Sequence, residues 1–205
     1  MAKLYFKHGT MNSSKSAQLI MTAHNYMSQG KDVIVLKPSR DTRWDQDKVV
    51  SRAIQYKLPC HLVDDESIID KIDRITFEKG IKNIHAILVD EAQFLKTKHI
   101  EELVTIVDEY NIPVICFGLK NSYVKGELFE GSRALLYYAD KIEEIKTVCK
   151  YCDRKSTMNL RVVNGKPVYS GQPVVIGDIS NGQNEFYVQV CRKHYFNPPN
   201  LRLEK

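Results

Sequence analysis

Long hydrophobic runs are missing from this sequence of 205 residues. Its apolar stretches, such as Val33 to Leu36 and Ala86 to Val89, are far shorter than the roughly 18 residues that a membrane-spanning helix needs. Lys3 and Lys7 interrupt the beginning of the chain, where a secretory signal would place its apolar segment. Ten glycines are too few for a collagen-like repeat. These absences argue against transmembrane, secreted and collagen-like proteins.

Cysteine is scarce and odd in number, with five residues in the whole chain. An odd count without a signal segment, in a chain long enough to build its own core, favours a reducing compartment over a disulfide scaffold. We therefore expect a cytoplasmic protein. Cys60 and Cys116 have no partner at a ligand-like spacing, so we expect them to pack as small apolar residues.

The composition predicts one sizeable core with a small appendage. Hydrophobic residues make up 43% of the chain and charged residues 27%, as in soluble globular proteins, and the formal net charge is +5. Residues 150–205 hold 9 basic and 4 acidic side chains, together with four of the seven prolines, whereas residues 1–149 are balanced. This shift predicts an α/β body over residues 1–148 and a turn-rich unit over residues 149–205. The sequence contains no internal repeat and no low-complexity segment.

Strand-like and helix-like patterns alternate along the body. Helical spacing of apolar residues predicts helices over residues 16–29, 66–79 and 97–109. Short apolar runs predict strands over residues 3–8, 32–37, 85–89 and 114–117. This alternation predicts a parallel sheet flanked by helices, with ligands bound outside the carboxyl ends of the strands.

A phosphate-loop pattern follows the first predicted strand. Residues Gly9 to Ser16 fit G-x-x-x-x-G-K-[ST], except that Ser14 stands in place of the second glycine. Such a loop directs backbone N–H groups and the positive end of a helix at phosphate oxygens. Lys15 would then neutralise the outer phosphates and Ser16 would bind Mg²⁺. The alternative is an ordinary polar turn that caps a helix, and Ser14 predicts weakened rather than abolished nucleotide binding.

Two adjacent carboxylates, Asp90 and Glu91, follow the apolar strand that ends at Val89. Such a pair is costly at the mouth of a buried strand unless a cation lies nearby. In a phosphate-loop protein, an acidic residue here completes the Mg²⁺ shell, and its neighbour can accept a proton from the attacking oxygen. Alone, the pair is also compatible with a helix cap.

Two ligand pairs with two-residue spacing lie in the C-terminal unit. Cys149 and Cys152 form the first pair, and Cys191 and His194 the second. Three thiolates and one imidazole are a ligand set for tetrahedral zinc, and a site filled by four protein ligands is structural rather than catalytic. The alternative is three buried thiols and a surface histidine.

Taken together, these motifs resemble type II thymidine kinases, the cytosolic kind, over nearly the whole chain. The matching segments are the loop from Gly9 to Ser16, Asp41-Thr42-Arg43, Asp90-Glu91-x-Gln93-Phe94, Gly118-Leu119, Gly126-Glu127-Leu128-Phe129-x-Gly131-Ser132, the Cys149/Cys152 pair, Val175-Ile176-Gly177 and Tyr187-x-x-x-Cys191-Arg192-x-His194-Tyr195. The implied fold is α/β, with a P-loop NTPase-like parallel sheet flanked by helices and a small C-terminal zinc-ribbon-like domain that carries a lasso loop.

The resemblance implies transfer of the γ-phosphoryl group of ATP to the 5′-hydroxyl of thymidine or deoxyuridine, in nucleotide salvage for DNA synthesis. Glu91 would accept the proton of that hydroxyl, and Lys15, the second catalytic residue, would hold the triphosphate. Ser16 and Asp90 would place Mg²⁺. The remaining nucleotide-binding residues would be Gly9, Thr10, Met11, Asn12, Ser13, Ser14, Asp41, Arg43 and Gln93.

For the nucleoside, the resemblance implies a pocket of apolar and aromatic side chains, with Leu119 near the thymine methyl group. The other base-packing residues would be Met11, Phe94, Tyr123 and Phe129. A lasso carried by the zinc unit would cover the base through Val175 and Ile176, with Tyr187 on the sugar side. The implied assembly is a homotetramer with dTTP as a feedback ligand, and with neither a membrane nor a nucleic acid as partner.

Two other functions remain open on the residues alone. A phosphate loop, an Asp-Glu pair and a basic zinc unit also suit a nucleic-acid-stimulated ATPase, in which Glu91 would activate water. Because Ser14 replaces the second glycine of the phosphate loop, a regulatory module that binds a nucleotide without turnover is also left open. Phosphorylation of thymidine separates the kinase from both alternatives.

Overall fold

The structure is a computed structural model, and it describes residues 1–39, 47–51, 53–172 and 185–199. Six strands form a parallel sheet in the order β5-β2-β6-β7-β1-β8. Those strands are β1 (Leu4–His8), β2 (Val33–Pro38), β5 (His61–Val63), β6 (Ala86–Val89), β7 (Val114–Gly118) and β8 (Lys141–Glu144). The predicted parallel α/β architecture is therefore confirmed.

Helices cover both faces of this sheet. They are α1 (Lys15–Met27), α2 (Ile68–Lys79), α3 (Thr97–Tyr110) and α4 (Glu130–Tyr138), with a 3₁₀ turn over Ala92–Phe94. Successive side chains of a strand point to opposite faces, so Ile34 and Leu36 join the core with α2, α3 and α4, whereas Val35 joins the core with α1. A hairpin of β3 (Lys48–Ser51) and β4 (Tyr56–Pro59) covers the α1 face.

Local capping explains where the predicted helices begin and end. α2 begins at Ile68 rather than at residue 66 because the Ser67 hydroxyl accepts the Asp70 N–H at 3.3 Å. It ends at Gly80, whose left-handed φ of 62° suits glycine. α1 spans Lys15–Met27 where the pattern predicted residues 16–29, and its final carbonyls accept from Ser28 and Gly30. The other predicted elements agree within two residues.

A second, antiparallel sheet carries the C-terminal unit, with the order β10-β9-β11. Its strands are β9 (Met158–Val163), β10 (Lys166–Val168) and β11 (Glu185–Val190), and the short helix α5 (Arg192–Phe196) follows. Leu160, Val162 and Val190 are fully buried in its own small core, together with Tyr195. In the part of the chain that the structure describes, no helix combines the length and the hydrophobicity of a membrane span.

Candidate functional site

The phosphate loop lies between β1 and α1, at the carboxyl edge of the sheet. Its first residue is held closely, because the Gly9 N–H donates to the Gly118 carbonyl at 3.2 Å. A Cβ atom at Gly9 would lie only 2.8 Å from the Ile145 carbonyl oxygen and 2.3 Å from Ser13 Oγ. Glycine is therefore required at this position for the loop to return to the sheet edge.

Two non-glycine residues of the loop adopt left-handed backbone conformations. Asn12 has a φ of 59°, and Ser14 has a φ of 63° and a ψ of 26° directly before α1. Left-handed backbone costs an L-residue with a side chain roughly 1–2 kcal/mol, and asparagine tolerates it best. The conformation at Ser14 explains why the phosphate-loop pattern has glycine there. The Ser14 side chain is exposed, so the difference from glycine lies in backbone strain rather than in core packing.

Hydrogen-bonding groups of the loop remain available for an anion. Lys15 is buried, and its Nζ donates to the Thr10 carbonyl at 2.7 Å. Thr10 Oγ1 and Ser13 Oγ are buried hydroxyls without a hydrogen-bond partner among the described residues. Buried polar groups are almost always paired. Two such orphans beside a buried lysine at the start of a helix therefore fit a site that binds phosphate oxygens.

Asp90 lies opposite the loop, at the end of β6. Its backbone N–H donates to the Leu36 carbonyl at 2.9 Å, and its carboxylate accepts the Ser16 hydroxyl at 3.1 Å. Burial raises the pKa of the Asp90 carboxyl, and the neighbouring Glu91 charge raises it further, while the Ser16 bond and Lys15 act in the opposite direction. A divalent cation between Ser16 and Asp90 would favour the ionised form of this carboxyl.

Glu91 is half-buried and begins the 3₁₀ turn with a left-handed backbone, at a φ of 49°. Strained backbone of this kind is concentrated at functional sites, because the surrounding structure must hold it in place. One carboxylate oxygen accepts a hydrogen bond from Gln93 Nε2. The position of the Glu91 carboxylate is therefore set by the conformation of its own backbone and by the hydrogen bond from the Gln93 side chain.

One cavity of about 480 Å³ joins these groups. Its lining includes Met11, Asn12, Ser13, Ser14, Lys15, Ser16, Asp90, Glu91 and Leu119. The loop residues from Met11 to Ser16, both carboxylates and Leu119 therefore share a single space, and Met11 and Leu119 are two of the predicted base-packing residues. Gly9, Thr10 and Gln93 are outside this lining and support it from behind.

The three predicted base-packing aromatics and Tyr187, which was predicted on the sugar side, form two separate pairs. Phe94 and Phe129 meet edge to face with centroids 5.6 Å apart, and Tyr123 meets Tyr187 at 5.9 Å. Phe94 lines a different cavity of about 210 Å³, bounded also by Pro38 and His99. None of these four aromatic residues is among the described residues that line the 480 Å³ cavity. Four further predicted site residues, Asp41, Arg43, Val175 and Ile176, lie outside the described residues.

The four predicted metal ligands converge, with all ligand atoms within 4.8 Å of one another. Cys152 Sγ lies 3.8 Å from Cys191 Sγ, and His194 Nδ1 lies 3.4 Å from Cys149 Sγ and 3.6 Å from Cys191 Sγ. Tetrahedral zinc with Zn–S bonds of about 2.3 Å requires sulfur separations of roughly 3.8 Å. The distances and the donor set therefore fit a zinc site that is closed by protein ligands.

Three residues of the site region have no motif that would reveal them. Lys37, at the end of β2, is buried and lines the main cavity. Asn159 and Gln189 face each other across β9 and β11, and their side chains reach Met11 and Asn12 of the phosphate loop. A lone amide in a strand has no characteristic spacing, so only the packing of the two sheets identifies these contacts.

Comparison with known proteins identifies the family. The family model described as thymidine kinase matches residues 2–195. A thymidine kinase of Lactococcus lactis subsp. lactis is 49% identical over 199 residues, which covers 97% of this chain and 99% of the relative. One of Streptococcus gordonii is 49% identical over 198 residues, covering 97% and 98%. A Pif1 helicase from Candida albicans shares 12% identity at a TM-score of 0.41, over 70% of this chain and 36% of the helicase. The chain belongs to the thymidine kinase family.

Proposed function

We propose that this protein transfers the γ-phosphoryl group of ATP to the 5′-hydroxyl of thymidine, and also of deoxyuridine. The observation that carries this proposal is the single cavity in which Lys15 and Ser16 of the phosphate loop face the Asp90 and Glu91 carboxylates. Phosphoryl transfer requires mainly positioning and stabilisation of charge. The cavity provides donors for a triphosphate on one wall and carboxylates on the other.

The triphosphate binds along the phosphate loop in this proposal. Lys15 would exchange its bond to the Thr10 carbonyl for phosphate oxygens, and the unpaired Thr10 and Ser13 hydroxyls would donate to the loop's ligand. Ser16 and Asp90 would hold Mg²⁺, since hydroxyl and carboxylate oxygens are the hard donors that this ion prefers. When bound, Mg²⁺ supplies neutralisation of the phosphate charge.

Glu91 acts as the general base. The nucleoside O5′ attacks the γ-phosphorus and its proton passes to the Glu91 carboxylate, while the bond from the γ-phosphorus to the bridging oxygen breaks and ADP leaves with that electron pair. The products are thymidine monophosphate and ADP. Leu119 lines the same cavity as Glu91, which supports a base position near Leu119, with Met11 on the loop side.

Several finer assignments belong to the same proposal. The two aromatic pairs would rearrange around the nucleoside, with Phe94, Phe129 and Tyr123 at the base and Tyr187 on the sugar side. Asp41 and Arg43 would approach the phosphates and the sugar, while Val175 and Ile176 would cover the base. Residues 1–148 would form the ATP-binding domain, and residues 149–205 the zinc domain. A homotetramer with dTTP as feedback ligand completes the proposal.

A nucleoside panel with γ-labelled ATP and Mg²⁺ tests the function directly. We expect labelled monophosphate from thymidine and deoxyuridine, and a loss of about 10² to 10⁴ in turnover for Glu91→Gln because general-base help has that magnitude. If the protein instead hydrolyses ATP at a rate that single-stranded DNA increases and thymidine does not change, its function is that of an ATPase and not of a kinase. Thymidine binding without any product would favour a regulatory module.

Light scattering with and without dTTP measures the assembly.

A further inference from the structure

Gln93 has a long polar side chain that is buried in the protein interior, where such side chains are uncommon. It lies in the 3₁₀ turn Ala92–Phe94, two residues after Glu91, and is only 1% exposed. A buried carboxamide requires partners for both its oxygen and its nitrogen. Those partners define what the side chain does.

Both ends of the Gln93 amide are used by other parts of the protein. Oε1 accepts the Leu119 N–H at 3.0 Å, and Nε2 donates to the Glu91 carboxylate. A backbone N–H can only donate and a carboxylate can only accept, so the two partners together fix which end of the amide is oxygen. The amide therefore forms a bridge from the strand end after β6 to the strand end after β7.

Close packing prevents the Gln93 side-chain amide from adopting another orientation. A Cβ atom at Gly118 would lie 2.7 Å from Gln93 Oε1, so only glycine leaves room for the amide. On the other side, a Cβ atom at Gly131 would lie 2.4 Å from the Ala92 carbonyl and 3.1 Å from that of Gln93. Helix α4 thus packs directly on the turn. The Ser132 hydroxyl donates to the Leu119 carbonyl at 2.6 Å and fixes the far end of the bridge.

We propose that Gln93 is a positioning residue for the reaction, which holds the Glu91 carboxylate toward the nucleoside hydroxyl and links it to the backbone at Leu119. The assignment rests on the proposed function. Glu91 has a strained left-handed backbone and a flexible side chain, so it needs an external hydrogen bond to keep one rotamer. Gln93 therefore acts through Glu91 rather than by binding the nucleotide itself.

A double-mutant cycle tests this coupling. Gln93→Met keeps the length of the side chain and removes both hydrogen bonds. We expect it to lower kcat about tenfold or more, with the KM values for ATP and thymidine within about twofold of the original enzyme. In the Glu91→Gln background, Gln93→Met should have almost no further effect, since groups that act as one unit are non-additive. Gln29→Met, in the exposed turn after α1, is the matched control and should leave the kinetics unchanged.

The outcomes separate failure of this inference from failure of the proposed function. If the two substitutions lower kcat by independent factors that multiply, or if Gln93→Met raises only the KM for ATP, the positioning role is wrong. If Glu91→Gln retains full activity, the base assignment itself fails. A kcat of Gln93→Met that equals that of the original enzyme would also overturn the inference.

A stability measurement tests the contact without activity. Gln93→Glu places two carboxylates against each other, whereas the exchanged pair Glu91→Gln with Gln93→Glu restores one donor and one acceptor. We expect the exchanged pair to melt about 2 to 4 °C above Gln93→Glu alone, the shift that corresponds to the recovery of one hydrogen bond in a protein of this size. Equal melting temperatures would show that the two side chains do not interact.

Discussion

Asn159 Oδ1 accepts a hydrogen bond from the Met11 N–H at 2.8 Å and thereby joins the zinc unit to the phosphate loop. The contact is reinforced by its cross-strand neighbour, because Gln189 Oε1 accepts from Asn12 Nδ2 at 3.1 Å. Strand β11 leads directly from Gln189 to Cys191, one of the four ligands. A metal ion held by the four ligands would therefore stabilise β11, which contacts Asn12 and pairs with β9, the strand that contacts Met11.

The Asn159 contact predicts an effect on ATP binding. Asn159→Leu has a similar volume but leaves the partly buried Met11 N–H without its partner, at a cost of about 1 kcal/mol. We expect weaker binding of MgATP by titration calorimetry, with one zinc still bound per chain. Val162→Ala, a core change in the same sheet, should lower the melting temperature and leave ATP affinity unchanged. Tighter ATP binding by Asn159→Leu would contradict the prediction.

Removal of one metal ligand should loosen both the zinc unit and the loop. We expect Cys191→Ser to reduce the zinc content from one per chain to nearly none by elemental analysis, and to raise the KM for ATP. Cys60→Ser is the control, because Cys60 lies outside the cluster and packs against the α1 core. Unchanged zinc content in Cys191→Ser would refute the assignment of four ligands.

Ser14→Gly should improve the phosphate loop. Ser14 has a φ of 63°, a conformation that glycine adopts without the penalty of a side chain. We expect a melting temperature higher by about 2 °C, since relief of such strain is worth roughly 1 kcal/mol, and a lower KM for ATP. Ser14→Ala keeps the Cβ atom and should give neither gain. If Ser14→Gly changes neither quantity, the loop tolerates serine without strain.

The lowered pKa values of three histidines predict that the protein becomes less stable in mild acid. Burial lowers the pKa values of His8, His61 and His99 below the ordinary value, and nearby lysines lower them further. A histidine with a lowered folded pKa stabilises the protein above its unfolded pKa of about 6.5, and this contribution is lost as the pH falls through that value toward the folded pKa. Urea unfolding at pH 7.5 and 5.5 measures the difference. His99→Gln should reduce it, because the side-chain amide of glutamine does not take up a proton over this pH range.

The sequence by itself determined the local elements and the chemistry that they carry. The strand before Gly9, the helix after Lys15 and the strand before Asp90 follow from apolar spacing, and the structure confirms each within two residues. The two ligand pairs follow from two-residue spacing, which allows two neighbouring side chains to meet one ion. These properties depend on residues that are close in the chain.

Only the tertiary structure decided which distant groups meet. Met11 and Asn159 are 148 residues apart, and the Gln93 amide contacts Leu119 across 26 residues. Neither contact has a local pattern, because an amide in a strand or turn can serve as a surface residue, a cap or a bridge. The strand order, which places β7 between β1 and β6, decides that Gly9, Asp90 and Leu119 share one edge of the sheet. Such contacts depend on packing of whole sheets and helices, and the spacing of residues along a chain does not encode that packing directly.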